Sequence, residues 1–130
     1  MFIKTITYTD YNGTERTETH LFDINEAEAL DMEVGTEGGY SEMLKKLANE
    51  KRFPELVKIF REFILKAYGV KSPDGRRFIK SEELSTEFSQ TGAFVKLYTE
   101  LAMDSKAAAE FVNGVLSVDP NLVKPESKPE

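Results

Sequence analysis

The rhythm of the chain changes at residue 25, and that change limits the fold more than any single motif does. Before it, Phe2, Ile6 and Tyr8 recur at every second position, with Lys4 the exception, in a run rich in β-branched and aromatic residues. Such a period belongs to a strand with one covered face. Asn12-Gly13 follows, the dipeptide best able to take positive φ in a tight turn. A threonine-rich return then runs from Thr14 to Leu21-Phe22. The segment 2–22 therefore predicts an antiparallel hairpin. Two strands are marginal alone in water, so the ribbon must pack on something else in the chain or on another chain.

Beyond residue 25 apolar residues recur at every third or fourth position, as on helices. Asn25 is a cap for a helix from Glu26 to Glu33, with Glu28 as the reciprocal partner of a capping box. Gly35, Gly38 and Gly39 interrupt, and a second helix is expected from Tyr40 to Glu50, with Met43, Leu44 and Leu47 on one face. The clearest helix runs from Pro54 to Tyr68. Leu56, Val57, Phe60, Phe63, Ile64 and Ala67 make its apolar stripe, and Gly69 is expected to end it in the left-handed C-terminal position. Ser72-Pro73-Asp74-Gly75 reads as a turn. Ser81 and Thr91 are expected to cap two further helices. Asp104 or Ser105 caps a last one from Lys106 to Asn113, closed by Gly114.

These elements predict an α+β fold, mostly α: an N-terminal antiparallel β-hairpin followed by five or six short helices. A chain of 130 residues is one domain's worth. The expected division is a globular unit over 1–116, with the hairpin at 2–22 and the helices at 25–116. The segment 117–130 holds three of the five prolines with alternating Lys and Glu, and is expected to be a flexible tail.

Charge and composition exclude several functions. With no cysteine, disulfides and thiolate metal sites are impossible. A net charge of -6 favours solubility and opposes sequence-independent binding to phosphates. Met1-Phe2-Ile3-Lys4 lacks the basic region and long apolar run of a secretory leader, and no apolar stretch is long enough to cross a membrane.

No set of residues reads as a reactive centre. His20 is the only histidine, so a structural or solvent-facing role is expected. Glu82 and Glu83 are neighbours on a helix and point a third of a turn apart, so they do not converge on one proton. Their place in a first turn explains them. A calcium loop with Gly75 in its sixth position would need carboxylates where Val70 and Ser81 stand. Asn12-Gly13-Thr14 fits a glycosylation pattern but serves as a turn, and the glycines at 35–39 lack the following Lys-Ser/Thr of a phosphate loop. Lys71, Arg76, Arg77 and Lys80 form the one basic cluster. They support an alternative reading as a small nucleic-acid-binding or regulatory protein, against which Glu82 and Glu83 set like charge to phosphate. No catalytic residue, metal or cofactor is expected.

Nine Phe and five Tyr remain. Phe60, Phe63, Phe88, Phe94, Tyr98 and Phe111 fall at helical spacing and are core by default. Of these, Phe88, Phe94 and Tyr98 are the candidate partner-contact residues, because aromatics are enriched at protein interfaces.

Read together, the strand pair ending in Leu21-Phe22, Met32-Glu33, Thr36-Glu37-Gly38-Gly39 and the helix from Leu56 to Tyr68-Gly69 carry a resemblance. It continues through Ser72-Pro73-Asp74-Gly75-Arg76-Arg77-Phe78-Ile79-Lys80-Ser81 and Glu87-Phe88-Ser89-Gln90-Thr91 to Tyr98, Leu101-Ala102 and Ala107 to Gly114. Over 2–115 the chain resembles the tail assembly chaperones of long-tailed bacteriophages, particularly those of phages and prophages of Gram-positive bacteria. The resemblance implies a non-enzymatic protein of the host cytoplasm, absent from the mature virion. It implies that the chain coats the tape measure protein until tail tube protein polymerises around it, with homo-oligomers as a further expectation. It also implies that this is the short, non-frameshifted form and that a frameshifted, longer form can exist, with 117–130 as either the short-form terminus or the junction to the extension.

Overall fold

The computed structural model describes residues 1–116, so the expected tail at 117–130 lies outside the described residues. The elements are β1 (Phe2–Thr9), β2 (Glu15–Phe22), α1 (Glu26–Val34), α2 (Tyr40–Asn49), α3 (Phe53–Ala67), β3 (Tyr68–Lys71), β4 (Phe78–Ile79), α4 (Glu82–Ser89), α5 (Gly92–Ala102) and α6 (Ser105–Val115). The α+β class and the N-terminal hairpin are as expected. Among the described residues no helix is long and apolar enough to cross a membrane.

Local chemistry sets most of the boundaries. The Asn25 side chain accepts from the Glu28 N–H at 2.8 Å, and the Glu28 carboxylate accepts from the Asn25 N–H at 3.0 Å, completing the capping box. Ser81 and Thr91 cap α4 and α5, and of the two candidates for α6 it is Asp104 that accepts from the backbone of Lys106 and Ala107. In the first hairpin Asp10 organises the loop. Its carboxylate accepts from the N–H groups of Asn12 and Thr14 at 2.9 Å and from Arg16 Nε at 2.6 Å. The Arg16 hydrogen bond, then the backbone N–H of Thr14, holds the Asp10 carboxyl below its usual range. Gly13 and Gly75 supply the left-handed residues, φ +82 and +77, that the two loops need.

The sheet is larger than the hairpin. Its strand order is β1-β2-β3-β4, antiparallel throughout. Here the structure corrects the expectation for Tyr68 and Gly69. The Asp23 N–H donates to the Ala67 carbonyl at 2.9 Å, and the chain leaving α3 pairs at once with β2, Leu21 opposite Gly69 and Phe22 opposite Tyr68. Gly69 is therefore a strand residue, not a left-handed helix stop. Its lack of a side chain serves packing, because a Cβ there would meet the Phe78 ring at 2.7 Å. Gly114 is corrected in the same sense. It lies inside α6, and a Cβ there would meet Phe2 Cδ1 at 2.6 Å.

The helices cover one face of the sheet. Phe22 at the end of β2 is fully buried and takes the rings of Tyr68, Phe88 and Phe111 at 5.9, 5.8 and 5.3 Å. Phe111 of α6 is also fully buried and meets Phe2, Phe60 and Phe63. Ile24, Ile64, Leu97 and Val115 complete the largest buried side chains, so sheet, α3, α5 and α6 share one core. Burying six such side chains, at about 1.5–3 kcal/mol each, lets the four-stranded sheet exist on its helices where a lone hairpin would not.

Candidate functional site: an apolar groove walled by helices

The stripe on α3 outruns the core that it serves. Its C-terminal half buries Phe63, Ile64 and Ala67. In its N-terminal half Val57 stays 43% exposed and Phe53, one turn earlier on the same face, 59%. Leu56, Val57, Ile59, Phe60 and Phe63 thus form one wall of an open groove of about 510 Å³. The facing wall comes from Leu101 and Ala102 at the end of α5 and from Ser105, Ala108, Val112 and Leu116 of α6 and its cap. Those α6 positions follow a spacing of three or four and form a stripe that adjoins the buried one of Phe111 and Val115. Ala29 and Met32 of α1 close one end, with Glu33 and Tyr40 at the polar margin. Burial, and then the charge of Glu62, raises the Tyr40 phenol above its ordinary value, so it stays neutral.

The lining determines what the groove can do. Among the described residues that line it, only Glu33 carries a charge. Apolar walls with Met at one end suit an apolar surface of another molecule, since thioether side chains adapt to irregular shapes.

The residues singled out from the sequence lie elsewhere. Phe88 and Phe94 are 3% and 4% exposed, in the core between α4, α5 and the sheet. Phe88 stacks on Tyr68 at 4.2 Å, and Tyr98, half-buried, stacks on Phe94 at 5.5 Å. None of the three lines the groove. The periodicity of α3 showed the apolar stripe but not which half the rest of the chain would leave bare.

His20 is half-buried on β2 beside Phe88 and Tyr68, with ring centroids 5.2 and 6.3 Å away. Its Nε2 is buried without a hydrogen bond, and Glu18 Oε1 at 3.7 Å is too far to make one. Burial lowers its pKa, and the nearby Glu18 charge opposes that only in part. Glu82 and Glu83 sit exposed in the first turn of α4. Among the described residues no group of three His, Asp or Glu side chains could hold a metal ion.

The basic cluster is split by the fold. Lys71, Arg76 and Arg77 are exposed around the β3–β4 hairpin, whereas Lys80 donates to both Glu28 oxygens at 3.0 and 2.9 Å and to the Lys66 carbonyl at 3.1 Å. Burial of the Glu28 carboxyl opposes ionisation. The Lys80 hydrogen bond, the Asn25 N–H and the charges of Lys80 and Lys66 outweigh it, and the carboxyl ends below its ordinary range. Lys80 is thus a structural cation that ties α1 to the second hairpin.

Fold and groove together define the class: a small α+β protein with an open apolar groove framed by helices. The chain belongs to the phage tail assembly chaperone family, whose model matches residues 1–125. No curated protein and no solved structure matches it. Membership gives the chain a role in the assembly of phage tails, through interaction with tail proteins, in a family that is in general non-enzymatic.

Proposed function

We propose that the chain binds the tape measure protein of a long-tailed phage in this groove, keeps it soluble, and yields it to tail tube protein as that polymerises. A long helix with an exposed apolar stripe aggregates through that stripe, because hydrophobic attraction has no direction. An amphipathic helix laid between α3 and α6 would bury its stripe against theirs, in the helix-in-groove mode. The observation that carries the reading is the bare N-terminal half of the α3 stripe, with Val57 43% exposed beside the apolar face of α6. Several weakly held copies along one partner would give avidity while letting each be displaced in turn. The action belongs in the cytoplasm of the host, before the virion is complete. The motif resemblance described above favours a Gram-positive host.

The test uses Val57→Asp and Ala102→Glu, two groove positions open enough to take a charge at little cost to the fold. Light scattering follows aggregation of the cognate tape measure protein produced with each variant. Both variants should melt like the parent protein and fail to suppress aggregation. Full suppression by two folded variants would refute the groove as the binding site.

A further inference from the structure

A second feature lies outside the groove. β1 is an edge strand, paired with β2 on one side only. The Asp10 N–H bonds to the Thr14 carbonyl at 2.8 Å, in line with the β1–β2 register, and this sets the phase of the ladder. Even-numbered residues of β1 bond to β2, and Ile3, Thr5, Thr7 and Thr9 turn their N–H and C=O groups to the open side. The phase agrees with the close Thr5–Thr19 and Thr7–Thr17 hydroxyl contacts, 2.9 and 3.0 Å, expected of the pairs that do not share backbone bonds.

α5 reaches over this edge at its Thr9 end, and from Ile3 to Thr7 the edge lacks the other devices by which sheets guard themselves. It is eight residues long, without proline and without a break in register. The four residues that face outward are uncharged, and the single lysine, Lys4, is on the covered face and paired with Glu100 at 3.5 Å. The far edge, β4, is two residues long and flanked by Arg77 and Lys80. Beside the open edge, Tyr8, Gly92, Val95 and Lys96 help line a cleft of about 350 Å³ between β1 and α5.

We infer that the open edge of β1 accepts an extended, uncharged, β-branched segment of another polypeptide as a fifth strand. A second copy of this chain fits poorly. A Cβ on Gly92, at the start of α5, would lie 3.2 Å from the Thr9 carbonyl oxygen, one of the groups that point to the open side, so α5 reaches over the edge. Pairing β1 with β1 of a second copy would set two strands roughly 5 Å apart and crowd two α5 helices, which need about 8–10 Å between axes. A bare strand brings no helix. Its side chains on the covered face would enter the cleft against Val95 and Tyr8, and those on the other face would extend the threonine surface.

The probe is a synthetic peptide with the β1 sequence, residues 2–9, carrying Lys4→Thr and blocked ends so that it is uncharged; it has the strand without α5. Added to the whole protein, it should slow amide exchange at Thr5 and Thr7 and bind saturably. Thr7→Pro removes an N–H that the β1–β2 ladder does not use, so it should keep the melting temperature and weaken the peptide about tenfold or more. Thr5→Pro gives the same reading if Thr7→Pro does not fold. Unchanged exchange at millimolar peptide, or equal binding by a folded proline variant, overturns the proposal. Protection of the same amides by rising concentration of the protein alone would overturn the choice of occupant in favour of a second copy.

Discussion

Gly114→Ala is the substitution whose sign separates local from tertiary control of this fold. Inside an exposed helix the change should stabilise by about 0.8–1.0 kcal/mol, since glycine pays the larger backbone entropy. Here the new methyl would stand 2.6 Å from Phe2 Cδ1, 3.4 Å from Cγ and 3.5 Å from Cβ. Carbon atoms settle at about 3.5–4.0 Å, so the ring must retreat by roughly 1 Å. It has little room to do so, because it packs edge-on against the fully buried Phe111 at 5.0 Å. Overpacking of this kind costs about 1–3 kcal/mol. The net expectation is a loss of about 1 kcal/mol, read as a lower urea midpoint with an unchanged slope. A cycle with Phe2→Ala isolates the cause. In that background the clash is gone, and Gly114→Ala should gain up to about 1 kcal/mol, a coupling of about 2 kcal/mol between residues more than a hundred positions apart. If Gly114→Ala raises the midpoint in the parent protein as much as it does in the Phe2→Ala background, the packing account of Gly114 is wrong.

Two further predictions concern pH. The His20 pKa is lowered on folding, so the unfolded chain binds more protons near pH 6, and stability falls as the medium drops below the ordinary histidine value toward the folded one. His20→Leu should flatten urea stability between about pH 7 and 5, and an unaltered slope would show that His20 does not titrate in that window. Glu28 has the opposite chemistry and the same sign. Its carboxyl is held below the usual range in the fold, so its contribution is complete above the unfolded value near 4.5 and is lost as pH falls through the folded one. Glu28→Gln should reduce stability at pH 7 and converge on the parent curve in acid; curves that stay parallel down to pH 3 would deny the Lys80 pair its role.

The caps show where sequence reading succeeds. Asn25, Ser81, Thr91 and Asp104 each bond to backbone two or three residues away, and in the expected turn the Gly75 N–H donates to the Ser72 carbonyl three residues back. Such bonds close within one turn of chain, so residue type and spacing determine them. The stripe on α3 was legible for the same reason. The strands at Tyr68–Lys71 and Phe78–Ile79 were not, because four and two residues carry no period, and a glycine after a helix looks the same whether it stops the helix or makes room for a ring.

The candidate site was less legible than the fold. Aromatic enrichment pointed to Phe88, Phe94 and Tyr98, but rings of this size at helical spacing are what the core also needs, and Phe22 and Tyr68 claim Phe88 from the sheet side. The groove shares Phe60 and Phe63 with the α3 stripe, and its other wall is made of small and aliphatic residues, Ala102, Ala108 and Val112, which look the same in the sequence whether covered or bare.

Spacing and residue type alone determined that the chain would make a threonine-rich hairpin and a set of capped amphipathic helices. Contacts between distant segments decided the rest: that β2 would receive the end of α3 as a strand, that Gly114 would face Phe2, and that half of one apolar stripe would find no cover. Apolar attraction has no direction and no range along the sequence. A stripe states only that a face will seek an apolar partner. Which faces are satisfied within the molecule, and which are left for another, follows only when the whole chain has been packed.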